Sequence, residues 1–409
     1  MSTFNNRVYG AAIIKSINSN YNADFSGQPR KLPNGTVYAT DKALKYSIRN
    51  YWKKALKENV FFFKSLDDMM KPRTLDERYI ELFKDFKRDI TSDKFCLFQF
   101  DGEDIKGLIP TQPKAKNVKD IYNGIDKEDE MNLIKDILLV LSTKKIQTST
   151  LKDIDKDKLE DETNIFYIDK DGKYIQVTED ELTMKKGIGM VLENMGGGIN
   201  RNLTLKDLLS CIDVRLFGAT YAGQTNISIH GTCQITHGLN KYTENVIYSE
   251  QIMSPFKNSN EKSVDSTMTT LGNQSRLQEG HYVHHFSVNP KNIEEDVKRT
   301  SSEGLTIEDI KKLKEGLRNG ATYYDSAAKA GTENELLLWV QLKPESKKVL
   351  PSFVSLIDIN EDKEIDLSKV SALLSEERIK SEIEKIEIYY NKANTKVLSE
   401  PGDAVFSEL

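Results

Sequence analysis

The first apolar run of the chain, Arg7 to Lys15 (RVYGAAIIK), is short, rich in β-branched residues and unbroken by a polar face, which predicts a buried strand. It runs into SINSNYNADFSGQPRKLPNG, where Asn, Gly and Pro punctuate a loop. A helix is predicted next. Thr40 or Asp41 can cap it, and with a turn of about 100° per residue Leu44, Ile48, Tyr51 and Ala55 fall on one side, facing the core.

From Glu58 to about Asp207 the pattern turns polar, with LDERYIELFKDFKRDI, EDEMNLIKDILLVLSTKK and the charge-dense LKDIDKDKLEDET. This stretch is expected to form an inserted, mostly helical lobe. A second core block follows in CIDVRLFGATY, TNISIHGTCQITHG and GHYVHHFSVNP, all strand-like by β-branched and aromatic content. Before the last of these, Asn240 to Glu279 is rich in Asn, Ser and Thr yet holds NVIYSEQIMSPF, an apolar segment without a helical stripe. An extended arm or hairpin is expected there. LTIEDIKKLKEGLRNGA then predicts an amphipathic helix capped by Thr306, and ENELLLWVQL a buried strand.

The resulting order of strand, helix, insertion, strands, helix and strand predicts an α+β protein with a ferredoxin-like βαββαβ core, a topology shared with RNA-recognition folds. Past Lys343, PSFVSLIDI reads as an extra strand and SEERIKSEIEKIEIYYNK as a charged helix.

Charge changes this picture. The 409 residues carry a formal net charge of -5, but residues 1–57 hold ten Lys or Arg against two acids, so the remainder is strongly acidic. Such segregation suits a local site for a polyanion. On the predicted helix Lys42, Lys45, Arg49 and Lys53 fall within a narrow arc beside the core face, a track of cations able to follow consecutive phosphates. The helix start near Thr40 adds backbone N–H donors, and Asn18, Asn20, Arg30 and Lys31 in the preceding loop extend the same surface.

Other chemistry is weaker. His230, Cys233 and His237 mimic a zinc spacing, but on a strand odd separations point to opposite faces. His281, His284 and His285 suit strand packing or nucleic-acid contact better than acid–base catalysis without a partnered nucleophile. Asp358, Asn360 and Asp362 begin like a calcium loop, yet Lys363 replaces the turn Gly and Lys369 the bidentate Glu. MGGGIN (195–200) lacks the Lys-Ser/Thr of a phosphate loop. No metal and no cofactor is expected. Cys96, Cys211 and Cys233 are far apart and read as reduced core thiols, and with no membrane-span or signal-peptide pattern the expected location is the cytoplasm.

Three features resemble one family. INSNYNAD with the following GQPR is similar to an N-x-N-x-D loop with Pro-Arg, and LKYSIRNYWK resembles a basic L-K-R-x-I-R-x-Y helix. CIDVRLFGATYAG, ISIHGTCQITHG and RLQEGHYVHHFSVN resemble a D-x-x-L-F-G, G-x-x-Q and G-x-Y strand series in the same order. The family is Cas7, the repeated guide-RNA backbone of type I CRISPR Cascade complexes, most like its I-B (Csh-type) branch.

The resemblance implies an RRM-like palm (1–57, 208–239 and 280–343), helical fingers (58–207), a thumb (240–279) and a C-terminal extension on the palm (344–409). It implies that Lys42, Lys45 and Arg49 hold guide phosphates, that Ile252, Met253 or Phe256 wedges beneath bases with the Phe217–Thr220 loop, and that Lys15, Gly218, Arg276 and Gln278 belong to the same RNA-binding set. Tyr46 stands where the family carries a second basic residue. The implied partners are the CRISPR RNA, target DNA through that RNA, further copies of the chain, other Cascade subunits and a recruited nuclease-helicase, with no membrane. The implied role is binding without catalysis. Two alternatives stay open: a metal-dependent endoribonuclease of the type III backbone kind, using Asp24, and a stand-alone RRM-like RNA-binding protein.

Overall fold

The computed structural model describes residues 2–66, 69–83, 201–223, 226–257 and 268–409, and by their backbone the strands between Ile90 and Val177. Two compact units are present: Met1–Phe63 with Leu208–Ala219 and Ile229–Leu409, and Lys64–Asp207 with Thr220–Ser228.

The first unit is built on β1 (Asn6–Ser19), whose apolar run is covered on both faces. That is why it reads as continuous rather than alternating. Val8, Ala12 and Ile14 belong to a core with α1 (Asp41–Lys54), while Tyr9, Ala11 and Ile13 belong to a second core on the other side. Further elements of the unit include β2 (Tyr38–Ala39), α2 (Ile212–Phe217), β3 (Cys233–Ile235), β4 (Gly238–Asn240), β5 (Ile247–Lys257), β6 (Met268–Val288), α3 (Ile307–Tyr323), β7 (Thr332–Pro344), β8 (Ile383–Tyr390) and β9 (Ala404–Ser407). With β1 these strands form a nine-stranded sheet in the order β2-β4-β6-β1-β7-β8-β9, with β3 and β5 also paired to β6.

β6 is 21 residues long, and β3, β4 and β5 line one of its edges in succession. Past Leu277 it leaves β1 and continues with β5 as a two-stranded hairpin.

The helix α3 begins on the expected cap: the Thr306 hydroxyl accepts the Asp309 N–H while the Asp309 carboxylate accepts the Thr306 N–H. Close approach fixes α1 against α3. A Cβ at Gly316 would lie 2.7 Å from Ile48 Cγ2, and one at Gly320 3.2 Å from the Ile48 backbone. Trp52 is the deepest anchor of α1, fully buried with its indole N–H donated to the Lys312 carbonyl at 2.8 Å. Tyr51 and Ala55, expected on the core face, are half-buried and exposed respectively, because the buried face is centred on Leu44, Ile48 and Trp52.

The opposite sheet face is covered by Leu350, Phe353, Ile357, Ile365, Leu367, Val370 and Leu374. Two expectations for this C-terminal part are corrected. PSFVSLIDI is a 3-10 turn at Phe353–Ser355 and a two-residue strand at Asp358–Ile359, since Phe353 and Ile357 drop into the core instead of alternating. The expected charged helix is reduced to Glu377–Lys380, and Ile383–Tyr390 is β8, paired with β7. Ile386, Ile388 and Tyr390 are buried with a period of two, and that burial outweighs the helical charge pattern. CIDVRLFGATY is likewise not one strand: α2 holds Ile212 to Phe217, nearly all buried, and only Ala219–Ala222 is extended.

In the second unit the described part of the expected mostly helical lobe contains strands as well as helix. Leu75–Phe83 is helical, but a five-stranded sheet runs Asp104–Leu108, Lys94–Asp101, Ile137–Ser142, Ile165–Ile168 and Tyr174–Val177 in spatial order. FCLFQF, ILLVL, IFYI and YIQV are dense in aromatic and β-branched residues, which fit a pleated surface better than a helix. LKDIDKDKLEDET and MGGGIN lie outside the described residues. Among the described residues no helix is long and apolar enough to cross a membrane.

Candidate nucleic-acid interface

The loop after β1 is tied to the start of α1. Thr40 is the N-cap residue with φ -74 and ψ 153, yet its side chain makes no capping bond. Instead its hydroxyl donates to Asn22 Oδ1 at 3.0 Å, and its N–H donates to the same oxygen at 2.9 Å.

Along α1 the four cations of the predicted track divide. Lys42 is open, its side chain 84% exposed and 3.8 Å from Asp41. Lys45 is folded back one turn onto Asp41 at 3.1 Å. Partial burial opposes ionisation of Asp41, but the ammonium of Lys45, then Lys42 and His237, hold its carboxyl below the ordinary value. Arg49 Nε donates at 3.0 Å to Oδ2 of Asp213, a carboxylate with no exposed surface that also accepts the Phe61 and Phe62 N–H groups. The Lys53 ammonium sits 4.9 Å from the Phe63 ring centroid.

Phe217 is placed under this row. It stacks on Trp52 at 5.2 Å and 19°, with Lys45 and Arg49 over its ring at 5.6 and 5.2 Å. Its ring is therefore enclosed by protein. Gly218 follows at φ +79, and a Cβ there would lie 2.4 Å from the Ile229 carbonyl, so a glycine is required. Thr220 is exposed. Tyr46, in the position of an expected cation, stacks on Phe63 at 5.5 Å and meets Tyr324 edge-on.

A second group surrounds the base of the β5–β6 hairpin. Asn18, at φ +47, accepts the Tyr248 hydroxyl through Oδ1 at 3.2 Å and Arg276 Nη1 through its carbonyl at 2.9 Å. Arg276 also pairs with Glu250 at 3.4 Å. Asn20 is buried and ties the loop to the hairpin, donating to the carbonyls of Gly27 and Ser275. Gln278 presents an exposed side chain while its N–H bonds the Val246 carbonyl at 2.8 Å. Ile252 and Met253 are 40% and 59% exposed on β5, whose backbone continues through Phe256. Lys31 is exposed and Arg30 half-buried.

Lys15 lies apart from both groups. It is buried on the sheet face opposite α1 and pairs with Glu333 at 2.6 Å.

The three histidines of β6, His281, His284 and His285, are packing groups. Burial pushes His284 down to about 4, and its ring bonds the Thr236 carbonyl and the Tyr21 hydroxyl. His285 is likewise pushed down to about 4 by burial. His281 Nδ1 meets Glu335 at 2.6 Å. Burial drives the Cys233 thiol up to about 12. Asp358 is engaged by Lys369 at 2.6 Å rather than arranged as a cation ligand. Among the described residues no three His, Cys, Asp or Glu side chains converge at metal-binding spacing.

Sequence reasoning missed the carboxylates that neutralise the track. Asp41 was legible, four residues before Lys45 on the same helix. Asp213 was not, because 164 positions separate it from Arg49. Asn22, the hub between loop and helix, had only its place in the Asn-rich loop to mark it.

A family model described as "CRISPR-associated protein Cas7" matches residues 6–384. Two solved structures, titled "CRISPR RNA-guided surveillance complex, pre-nicking" and "CRISPR RNA-guided surveillance complex", are similar at 14% and 12% identity. The first covers 98% of this chain and 96% of its own with a TM-score of 0.47, the second 97% of each with 0.38. No curated protein matches the sequence.

Proposed function

The chain belongs to the CRISPR-associated Cas7 family, and from that premise we propose that it is the guide-RNA-binding backbone subunit of a Cascade surveillance complex in the cytoplasm. The observation that carries this reading is the family match from residue 6 to 384, which takes in the whole α1 surface and the β5–β6 hairpin. In detail, the first unit acts as an RRM-like palm and the hairpin as a thumb, with fingers spanning 58–207 and an extension at 344–409. Copies stack head to tail along the guide, beside other Cascade subunits, in a complex of the I-B kind.

The chemistry of the described surface suits this work. Exposed Lys31 and Lys42 attract phosphates without reading sequence, and exposed Ile252 and Met253 separate bases whatever they are. Such a surface accepts any spacer. The subunit itself performs no bond-breaking step: it presents the guide for pairing with target DNA, and a recruited nuclease-helicase cuts.

Purification of the chain with its partner subunits from cells carrying a CRISPR array tests this. Guide RNA of uniform length in a particle with several copies of the chain is expected. A nucleic-acid-free protein, or one carrying RNA of mixed length and origin, overturns the reading in favour of a stand-alone RNA binder.

A further inference from the structure

The loop between β1 and α1 carries a feature that the phosphate surface leaves unexplained. Phe25 at its tip is 106% exposed, more than any other large apolar side chain on the described surface. An isolated exposed ring is ordinary on a protein surface, but this one stands on an ordered loop beside cations, and that combination gives it chemical meaning.

The loop is ordered by its own hydrogen bonds. Asp24 Oδ1 accepts the Ser26 N–H at 2.8 Å, the Ser26 hydroxyl at 2.7 Å and the Gln28 N–H at 3.0 Å. Ala23 and Pro29 form a bridge across the loop, and the Gly27 carbonyl is held by Asn20 at 3.0 Å. Gln28 reaches Ser249 on the hairpin at 3.4 Å. The ring is thus presented by a preorganised tip beside the base of the hairpin.

Positive charge accompanies the ring. The Arg30 guanidinium carbon lies 5.9 Å from the Phe25 centroid, and Arg30 Nε is buried without a hydrogen-bond partner. Arg30 acts electrostatically on the Asp24 carboxylate, which is already engaged by Ser26 and Gln28, and Lys31 beside it is exposed. An open aromatic face flanked by cations is the pairing that stacks a base and neutralises its phosphate.

We propose that Phe25, with Arg30 behind it, is a stacking platform for an unpaired nucleobase of single-stranded RNA. The occupant is a base rather than a second copy of the chain, because the flanking groups are cations suited to a polyanion. This inference rests on the RNA-binding reading and adds to it a base contact separate from the hairpin.

The test uses the full-length chain with Phe25→Trp. The two native tryptophans, Trp52 and Trp339, are both fully buried, so the introduced indole is a reporter at the tip. A single-stranded oligouridylate is expected to quench it, and an abasic oligomer of equal length, which keeps the phosphates, is not. Phe25→Ala is expected to weaken oligouridylate binding roughly tenfold, with Phe25→Tyr restoring it. Binding without quenching, or with equal quenching by the abasic oligomer, overturns the platform while leaving RNA binding intact. Quenching that tracks protein concentration without RNA overturns it in favour of contact between copies. Failure of the unaltered chain to retain any oligomer overturns both readings.

Discussion

Arg49 and Asp213 are joined across 164 positions of sequence, Nε to Oδ2 at 3.0 Å, on a carboxylate with no exposed surface. The pair fastens α1 to α2 and, through the Phe61 and Phe62 N–H groups, to the segment that follows α1. Removing one partner leaves the other charged and buried. Arg49→Ala is therefore expected to lower unfolding stability by roughly 3–5 kcal/mol, with Asp213→Ala similar. Urea denaturation measures it; a loss below about 1 kcal/mol would show the pair to be solvated.

Lys42 and Lys31 predict the opposite behaviour. Both are exposed, so alanine substitution is expected to leave the urea midpoint unchanged. Each is expected to weaken RNA binding about equally for unrelated sequences and to lower the slope of log affinity against log salt by about one. Filter binding between low and moderate salt reads this directly. An unchanged slope, or loss confined to one RNA sequence, counts against phosphate contact.

His284 and His285 set the acid limit. Burial depresses both to about 4 in the folded chain, from 6.5. Between those values the unfolded chain binds more protons, so stability is expected to fall as pH drops from about 6.5 toward 4 and to be flat above. His284→Gln, which cannot titrate, is expected to reduce that fall. Urea midpoints taken across this range decide it, and a pH-independent midpoint rules the histidines out as its source.

Cys233 predicts chemical silence. Its thiol is fully buried and pushed up to about 12, so little thiolate exists at neutral pH. Iodoacetamide followed by peptide mass spectrometry is expected to find Cys233 unmodified in the folded chain and modified in urea. Rapid native labelling would mean that β3 opens readily.

The local periodicities were legible in the sequence where they agreed with the final packing. Thr306 announced α3, the apolar run announced β1, and the 3.6-residue period placed Lys42 and Lys45 on one flank of α1. The motif series also announced the family, since its residues recur in order along the chain. The failures share a cause. In β8 and α2 the propensity or charge pattern suggested one element, and burial against distant strands or helices selected another.

The sequence by itself determined that the chain is α+β and that its N-terminal segment concentrates positive charge. Only the tertiary structure decided which of those charges remain available. It folded Lys45 onto Asp41, brought Asp213 to Arg49, and put Lys15 on the far face of the sheet against Glu333. Lys42 stayed in water and Phe25 was held out beside Arg30. Composition counts charges, but the availability of a cation depends on its burial and on the geometry of the carboxylates near it, and of these Asp213 and Glu333 arrive through contacts between segments far apart in the chain.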